Sequence, residues 1–428
     1  MPDTFSIRDL GAWRGGATPS KALKSYWANG CVPWVTPKDM QGTEISDSQD
    51  RLSQEGANRL CIFKPGDIAV VFRSGILRRL FPVAAASVPF TVNQDLKVLQ
   101  PGPTFDARFA FHTLRAAAPT VVATAVKSGT TVESVDPTLF FSIRVFGPPL
   151  PEQRKIAEVL DTLDEAIRKT EQIIAKLKQV KQGLLHDLLT RGIDHNGELR
   201  DPDRHPEQFK DSELGRIPKE WEVATLVSRI DVKGGKRLPA GHDYRATPGA
   251  CRYLRVLDFY RRTVQWDDVL FLEESTFQAL QRYEVRPGDL IISIAGSLGF
   301  AGEYAPPLGF GRAILTENAA RLIPRVELNR GFVVAQINSS LVQSQIAVEM
   351  GVGGGVPKLA LFRIESLMLR WPSLDEQAEI SKRLSAIDSR AQHEAGTLAK
   401  LALQKKGLME DLLTGKVRVT PLLDGKAG

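Results

Sequence analysis

The chain has 428 residues, of which 43% are apolar and 25% charged, with a formal net charge of +6. Those fractions are those of an ordinary soluble globular protein, and the length points to two or more domains, each able to bury a core. No run of about 18 apolar residues occurs, which excludes a helical membrane span, and the opening MPDTFSIRDL has no signal-peptide pattern, so a cytoplasmic location is expected.

The three cysteines, Cys31, Cys61 and Cys251, are scattered. They have no metal-ligand spacing and read as reduced structural thiols. The positive charge permits a polyanion partner without requiring one, because patches matter more than totals.

Residues 1–150 read as a first globular segment of mixed α/β character. Short β-like runs such as Ile68–Phe72 are broken by Pro and Gly turns. Phosphate contacts need Lys or Arg, and base edges are read by Arg, Lys, Asn, Gln, Ser or Thr. On that chemistry the candidates are Thr36 and Lys38 after Trp34, and Arg73, Ser74, Arg78 and Arg79 beyond the Pro65-Gly66-Asp67 strand. Each could equally be a solvated charge or a turn residue. Trp34 reads as a core side chain or a base-stacking one.

Residues 151–193 read as one long helix. Ile156, Leu160, Leu163, Ile167, Ile174, Leu177, Leu184 and Leu188 follow alternating four- and three-residue steps, interrupted by Thr170 and Lys181. Residues 194–212 are polar and proline-bearing and read as a linker. A second mixed segment, 213–373, shares landmarks with the first. Lys233-Gly234-Gly235 matches Arg14-Gly15-Gly16, Tyr253–Asp258 matches Trp34–Asp39, and Pro287-Gly288-Asp289 matches Pro65-Gly66-Asp67. Its candidate contacts are Lys236, Arg237, Arg255, Ser293 and Ser297, and Gly351–Gly355 reads as a flexible loop.

Residues 374–416 repeat the long helix, before a tail at 417–428. Glu376–Thr414 aligns on Glu152–Thr190 without a gap, giving a second seam of Ile380, Leu384, Ile387, Leu398, Leu401, Leu408 and Leu412. This seam is less apolar, with Ala391 and Glu394 at the places of Ile167 and Thr170, and Lys405 at the place of Lys181. A helix of about 40 residues, roughly 60 Å, with so narrow an apolar stripe needs a partner, and the nearest is its own copy. Gly183 and Gly407 fall within the seams, either as points of fraying or as a close crossing of two backbones.

Catalytic signatures are missing. Gly147-Pro148-Pro149-Leu150 and Ala305-Pro306-Pro307-Leu308 lack the polar and aromatic flanks of an amino-methyltransferase loop. Neither Gly234–Arg237 nor Gly351–Lys358 completes a P-loop, no HExxH or CxxC occurs, and the six histidines are scattered. The chain reads as non-enzymatic, with no cofactor or metal of its own.

The ordered set of motifs resembles the specificity subunit of type I restriction–modification enzymes. The resemblance rests on Gly15–Ser20 with Val32–Met40, the two Pro-Gly-Asp turns, Pro148–Gln153, Phe209–Trp221, and the helix ends Leu188-Leu189-Thr190 and Leu412-Leu413-Thr414. It implies an α+β fold with two mixed α/β target recognition domains. Two long antiparallel helices would separate them as a coiled-coil spacer, with a pseudo-twofold internal duplication. Each domain would read half of a bipartite double-stranded DNA target. Two methyltransferase subunits and restriction subunits would assemble on the chain, carrying S-adenosylmethionine, ATP and Mg. The alternatives are a coiled-coil scaffold that reads no DNA, and an orphan or fused-type recognition subunit.

Overall fold

The computed structural model describes residues 4–127, 132–256, 259–260, 263–264, 270–296, 298–349 and 358–423. The chain forms two compact units, residues 1–172 with 394–428, and residues 173–393.

In the first unit, a five-stranded sheet runs in the order Gly11–Gly15 (β2), Leu96–Pro101 (β9), Ile68–Val71 (β6), Val83–Ala86 (β7), Glu44–Ile45 (β4). A three-stranded sheet follows the order Asp50–Leu52 (β5), Val32–Val35 (β3), Thr91–Val92 (β8), with β3 and β8 parallel. Thr4–Ser6 (β1) pairs antiparallel with Arg144–Phe146 (β10), tying the start of the chain to the approach of the long helix. All four residues of β6 are buried, as a continuous apolar run at the centre of a core should be.

The second unit repeats this frame. Glu222–Thr225 (β11) pairs with Met368–Trp371 (β20) as β1 does with β10. One four-stranded sheet runs Ile230–Gly234 (β12), Ala319–Pro324 (β19), Leu290–Ser293 (β16), Ala301–Glu303 (β17). The other runs Leu270–Leu272 (β14), Cys251–Leu254 (β13), Ala313–Leu315 (β18), Glu284–Val285 (β15), with β13 and β18 parallel. The register agrees residue for residue. Gly15 and Val70 both face Lys97, and Gly234 and Ile292 both face Ala320.

The Pro-Gly-Asp turns explain their own recurrence. Gly66 and Gly288 sit at φ +91° and +87°, where a side chain is strained. Asp67 and Asp289 then close each turn by accepting the amides of Lys64 (3.0 Å) and Arg286 (2.9 Å).

Helix α1 (Ala107–Thr124) is capped by Asp106, and helix α3 (Arg330–Ile337) by Asn329. Three residues after each cap comes a phenylalanine, Phe109 or Phe332, fully buried against the long helices. Those are α2 (Leu150–Thr190) and α4 (Leu374–Leu412). Left-handed Gly192 (φ +64°) and Gly415 (φ +76°) stop them.

In the first unit, Ile156, Ala157 and Leu160 at the start of α2 pack with Leu412 and Leu413 at the end of α4. In the second, Leu188 and Leu189 pack with Ile380 and Leu384. Start therefore meets end within each unit, and the helices pair antiparallel. The seam residues near helix ends (Ile156, Leu160, Leu188, Ile380, Leu384, Leu412) are buried. Leu163, Ile167, Ile174, Leu177, Leu184, Ile387, Leu398, Leu401 and Leu408 are half-buried, as a seam between two helices without a third layer must be.

One reading is corrected. Among the described residues, nothing beyond their own helix lies within 4 Å of a Cβ built at Gly183 or Gly407, so these glycines make no close backbone crossing. The segment 194–212 is held against the start of α4. Its Arg200 forks onto Glu376 through contacts of 2.6 and 3.3 Å, and the Ile193 amide adds a third hydrogen bond of 2.7 Å. The tail does the same in the first unit, where Arg418 forks onto Glu152 (2.8 and 2.7 Å) and the Val419 amide adds 3.1 Å.

Candidate nucleic-acid interface

A cleft of about 600 Å³ opens in the first unit where β3, the end of β6 and the turn between β8 and β9 converge. It gathers four of the sequence candidates, Thr36, Lys38, Arg73 and Ser74. Arg78 and Arg79 lie outside its lining. Arg78 is instead ion-paired with the buried Glu133, whose carboxyl it holds below the ordinary range.

Backbone geometry fixes what these side chains can do. The Thr36 amide and hydroxyl both donate to Asp39 Oδ2 at 2.8 Å, locking the loop that carries exposed Lys38. The Arg73 amide donates to the Asp95 carbonyl (3.1 Å), and its side chain is exposed. Ser74 accepts the Ile76 amide (3.4 Å) and so caps the next turn. Sequence reasoning missed Lys21, Gln49, Asn93, Gln94 and Asp95, which also line the cleft. The only signal for the last three was a polar triplet between two apolar runs.

Trp34 belongs to the core. It is 4% exposed, packs with Val32, Leu52 and Ala57, and donates its indole N–H to the Ala17 carbonyl at 3.1 Å. Tyr253 occupies the matching place in the second unit and donates its hydroxyl to the Lys236 carbonyl at 3.2 Å. Burial pushes that phenol up to about 12.

The match between the two frames extends around the whole cleft. The Ala17 amide donates to the Val92 carbonyl and the Lys236 amide to the Leu315 carbonyl, both at 3.1 Å. The Arg73 amide meets the Asp95 carbonyl as the Ala295 amide meets that of Asn318 (3.2 Å). A Cβ at Gly16 would overlap the Val92 carbonyl oxygen, and one at Gly235 that of Thr316, which is why each loop needs its glycine pair. On these equal frames the side chains differ. Thr18 donates to Gln94 (2.7 Å) in one unit, and Arg237 forms an ion pair with Glu317 (3.1 Å) in the other. Burial works to raise the Glu317 carboxyl, but hydrogen bonds led by that from Arg237 outweigh it and hold the group below its ordinary value.

Of the second-unit candidates, Lys236 and Arg237 are exposed and Arg255 is half-buried at the place of Thr36. Ser293 does not reach the surface. It is 1% exposed, and its hydroxyl accepts the Phe300 amide at 2.9 Å, so it serves the turn after β16. Ser297 and Gly351–Gly355 lie outside the described residues.

The family described as "Type I restriction modification DNA specificity domain" matches residues 3–179. The specificity subunit of the Escherichia coli enzyme EcoR124I/EcoR124II is 34% identical over 37% of this chain and 40% of its own length. The MjaVIII specificity subunit of Methanocaldococcus jannaschii is 26% identical over 69% of this chain and 67% of its own length. Over these segments the chain is similar to type I restriction–modification specificity subunits. Its fold is also that of the type I restriction–modification system S subunit solved from M. genitalium, with a TM-score of 0.58 at 17% identity, covering 96% of this chain and 95% of that one. Among the described residues, no helix of this chain is long and apolar enough to cross a membrane.

Proposed function

We propose that this chain is a specificity subunit that reads a bipartite double-stranded DNA sequence, one half with each unit, while the paired helices set the unread gap. The chain itself performs no catalysis. Two methyltransferase subunits dock on it and bring S-adenosylmethionine, and restriction subunits join them with ATP and Mg. The specificity subunits it resembles are the first support.

The observation that carries the reading is the pair of matching backbone frames, one in each unit. Two equal backbone frames present different polar side chains at matching places, as a reader of two unlike half-sites requires. A scaffold that reads no DNA gives no reason for Thr18 and Gln94 to become Arg237 and Glu317 while the backbone hydrogen bonds beneath them stay fixed. The test is to map methylated bases genome-wide in a host expressing the chain with a methyltransferase partner. A two-part motif with a fixed gap is expected, and methylation without any motif would contradict the proposal.

A further inference from the structure

The first-unit cleft is lined by three cations, Lys21, Lys38 and Arg73, and by three carboxylates, Asp39, Asp50 and Asp95. A phosphate cradle would carry a clear excess of cations, since phosphate binding is charge neutralisation. A balanced lining suits base edges, which offer donors and acceptors side by side.

Within that lining Arg73 stands apart. Its position is set by its own backbone, through the amide bond to Asp95 and a bridge to Ser134 on the opposite segment. Its guanidinium is exposed and, among the described residues, has no carboxylate within ion-pairing distance, although three line the same cleft. The other cations lack its geometry. Lys21 and Lys38 are point charges, whereas a guanidinium is a rigid planar fork.

The second unit supplies the contrast. The residue on the same backbone bond is Ala295, and the bridge partner is Lys358 in place of Ser134. The cation has crossed to the other segment and lost the fork.

We infer that Arg73 is a specificity-determining residue that reads a guanine of the first unit's half-site, by paired hydrogen bonds to the O6 and N7 edge, and that its counterpart Ala295 makes no such reading. This rests on the proposed reading of DNA by the two units. The matching place in the second unit carries a lysine from the opposite segment, so the two half-sites are read differently there.

The test is selection of bound duplexes from a random double-stranded library by the full chain, with wild type, Arg73→Ala and Arg73→Lys in parallel. Wild type enriches a two-part sequence with guanine at one position of one half. Both variants lose that preference by about ten-fold or more and keep every other position. Arg73→Lys keeps overall affinity, because charge remains and only the fork is gone. Unchanged sequence preference in both variants, or a uniform loss of binding with a salt dependence shallower by about one ion, overturns the inference and leaves the reading of DNA standing. If wild type enriches no sequence, the reading itself fails.

Discussion

Lys405 of helix α4 is ion-paired with Asp164 of helix α2, and the equivalent Lys181 of α2 is ion-paired with the equivalent Asp388 of α4. The lysine that interrupts each seam therefore pairs with an aspartate of the other helix, and the two pairs are reciprocal. Each pair forms only when its helices run antiparallel in one register, which is the best-attested use of a charged residue in an apolar seam. The pairs are not equal. Lys405 has 8% of its side chain exposed, and burial lowers its ammonium from the ordinary value, whereas Asp388 is 56% exposed.

From that difference, Lys405→Ala should destabilise the chain by about 1.5–3 kcal/mol, since it removes the buried cation from half-buried Asp164 and leaves that carboxylate with Arg115 alone (3.2 Å). Lys181→Ala should cost about 1 kcal/mol or less because water screens its partner. Denaturant unfolding of both variants checks the order, and equal costs would contradict it.

Gly183→Ala and Gly407→Ala should each stabilise by about 0.5–1 kcal/mol, since both glycines lie in helix interiors with open space where a methyl would go. Gly16→Ala should instead destabilise by about 1–3 kcal/mol, because the methyl meets a backbone carbonyl of β8. Melting temperatures of the three variants distinguish glycines kept for packing from those tolerated in a helix.

Stability should fall in two stages with acid. Burial holds His112 below its ordinary 6.5, so the unfolded chain takes up that proton first and stability declines as pH drops below about 6.5. The Arg418 fork lowers Glu152 from 4.5, so its contribution is complete above that pH and is lost as the carboxyl protonates below it. His112→Gln should flatten the first stage alone. Glu152→Gln should flatten the second and cost about 1–2 kcal/mol at pH 7.

The architecture was legible because it is written twice. The heptad steps and the gap-free match of Glu152–Thr190 with Glu376–Thr414 reveal the helices, and their Glu-Gln openings prove to be joints. Gln153 accepts the amide of Asp106 (2.9 Å) and Gln377 that of Asn329 (3.0 Å), while Glu152 and Glu376 face the end of the other helix. The role of Arg200 and Arg418 was not legible, since their partners lie 176 and 266 residues away and nothing local marks them. The cleft was half legible. Thr36, Lys38, Arg73 and Ser74 follow recognisable landmarks, but Gln94 reaches the site through a parallel strand pairing that no periodicity reveals. Ser293 failed as a candidate because a hydroxyl at a strand end serves its own turn as readily as a ligand.

Lys38→Ala should weaken binding to all duplexes by a similar factor and make the salt dependence shallower by about one ion, if its exposed ammonium meets a phosphate. Binding titrations at several salt concentrations check this against a loss confined to one sequence.

The most direct test of the two-reader account replaces residues 213–373 with the corresponding domain of one of the similar specificity subunits, and maps methylated bases in a host that also expresses a methyltransferase partner. The account predicts that one half of the bipartite motif changes while the other half and the gap persist. A motif indifferent to the exchange, or one in which both halves change, would contradict it.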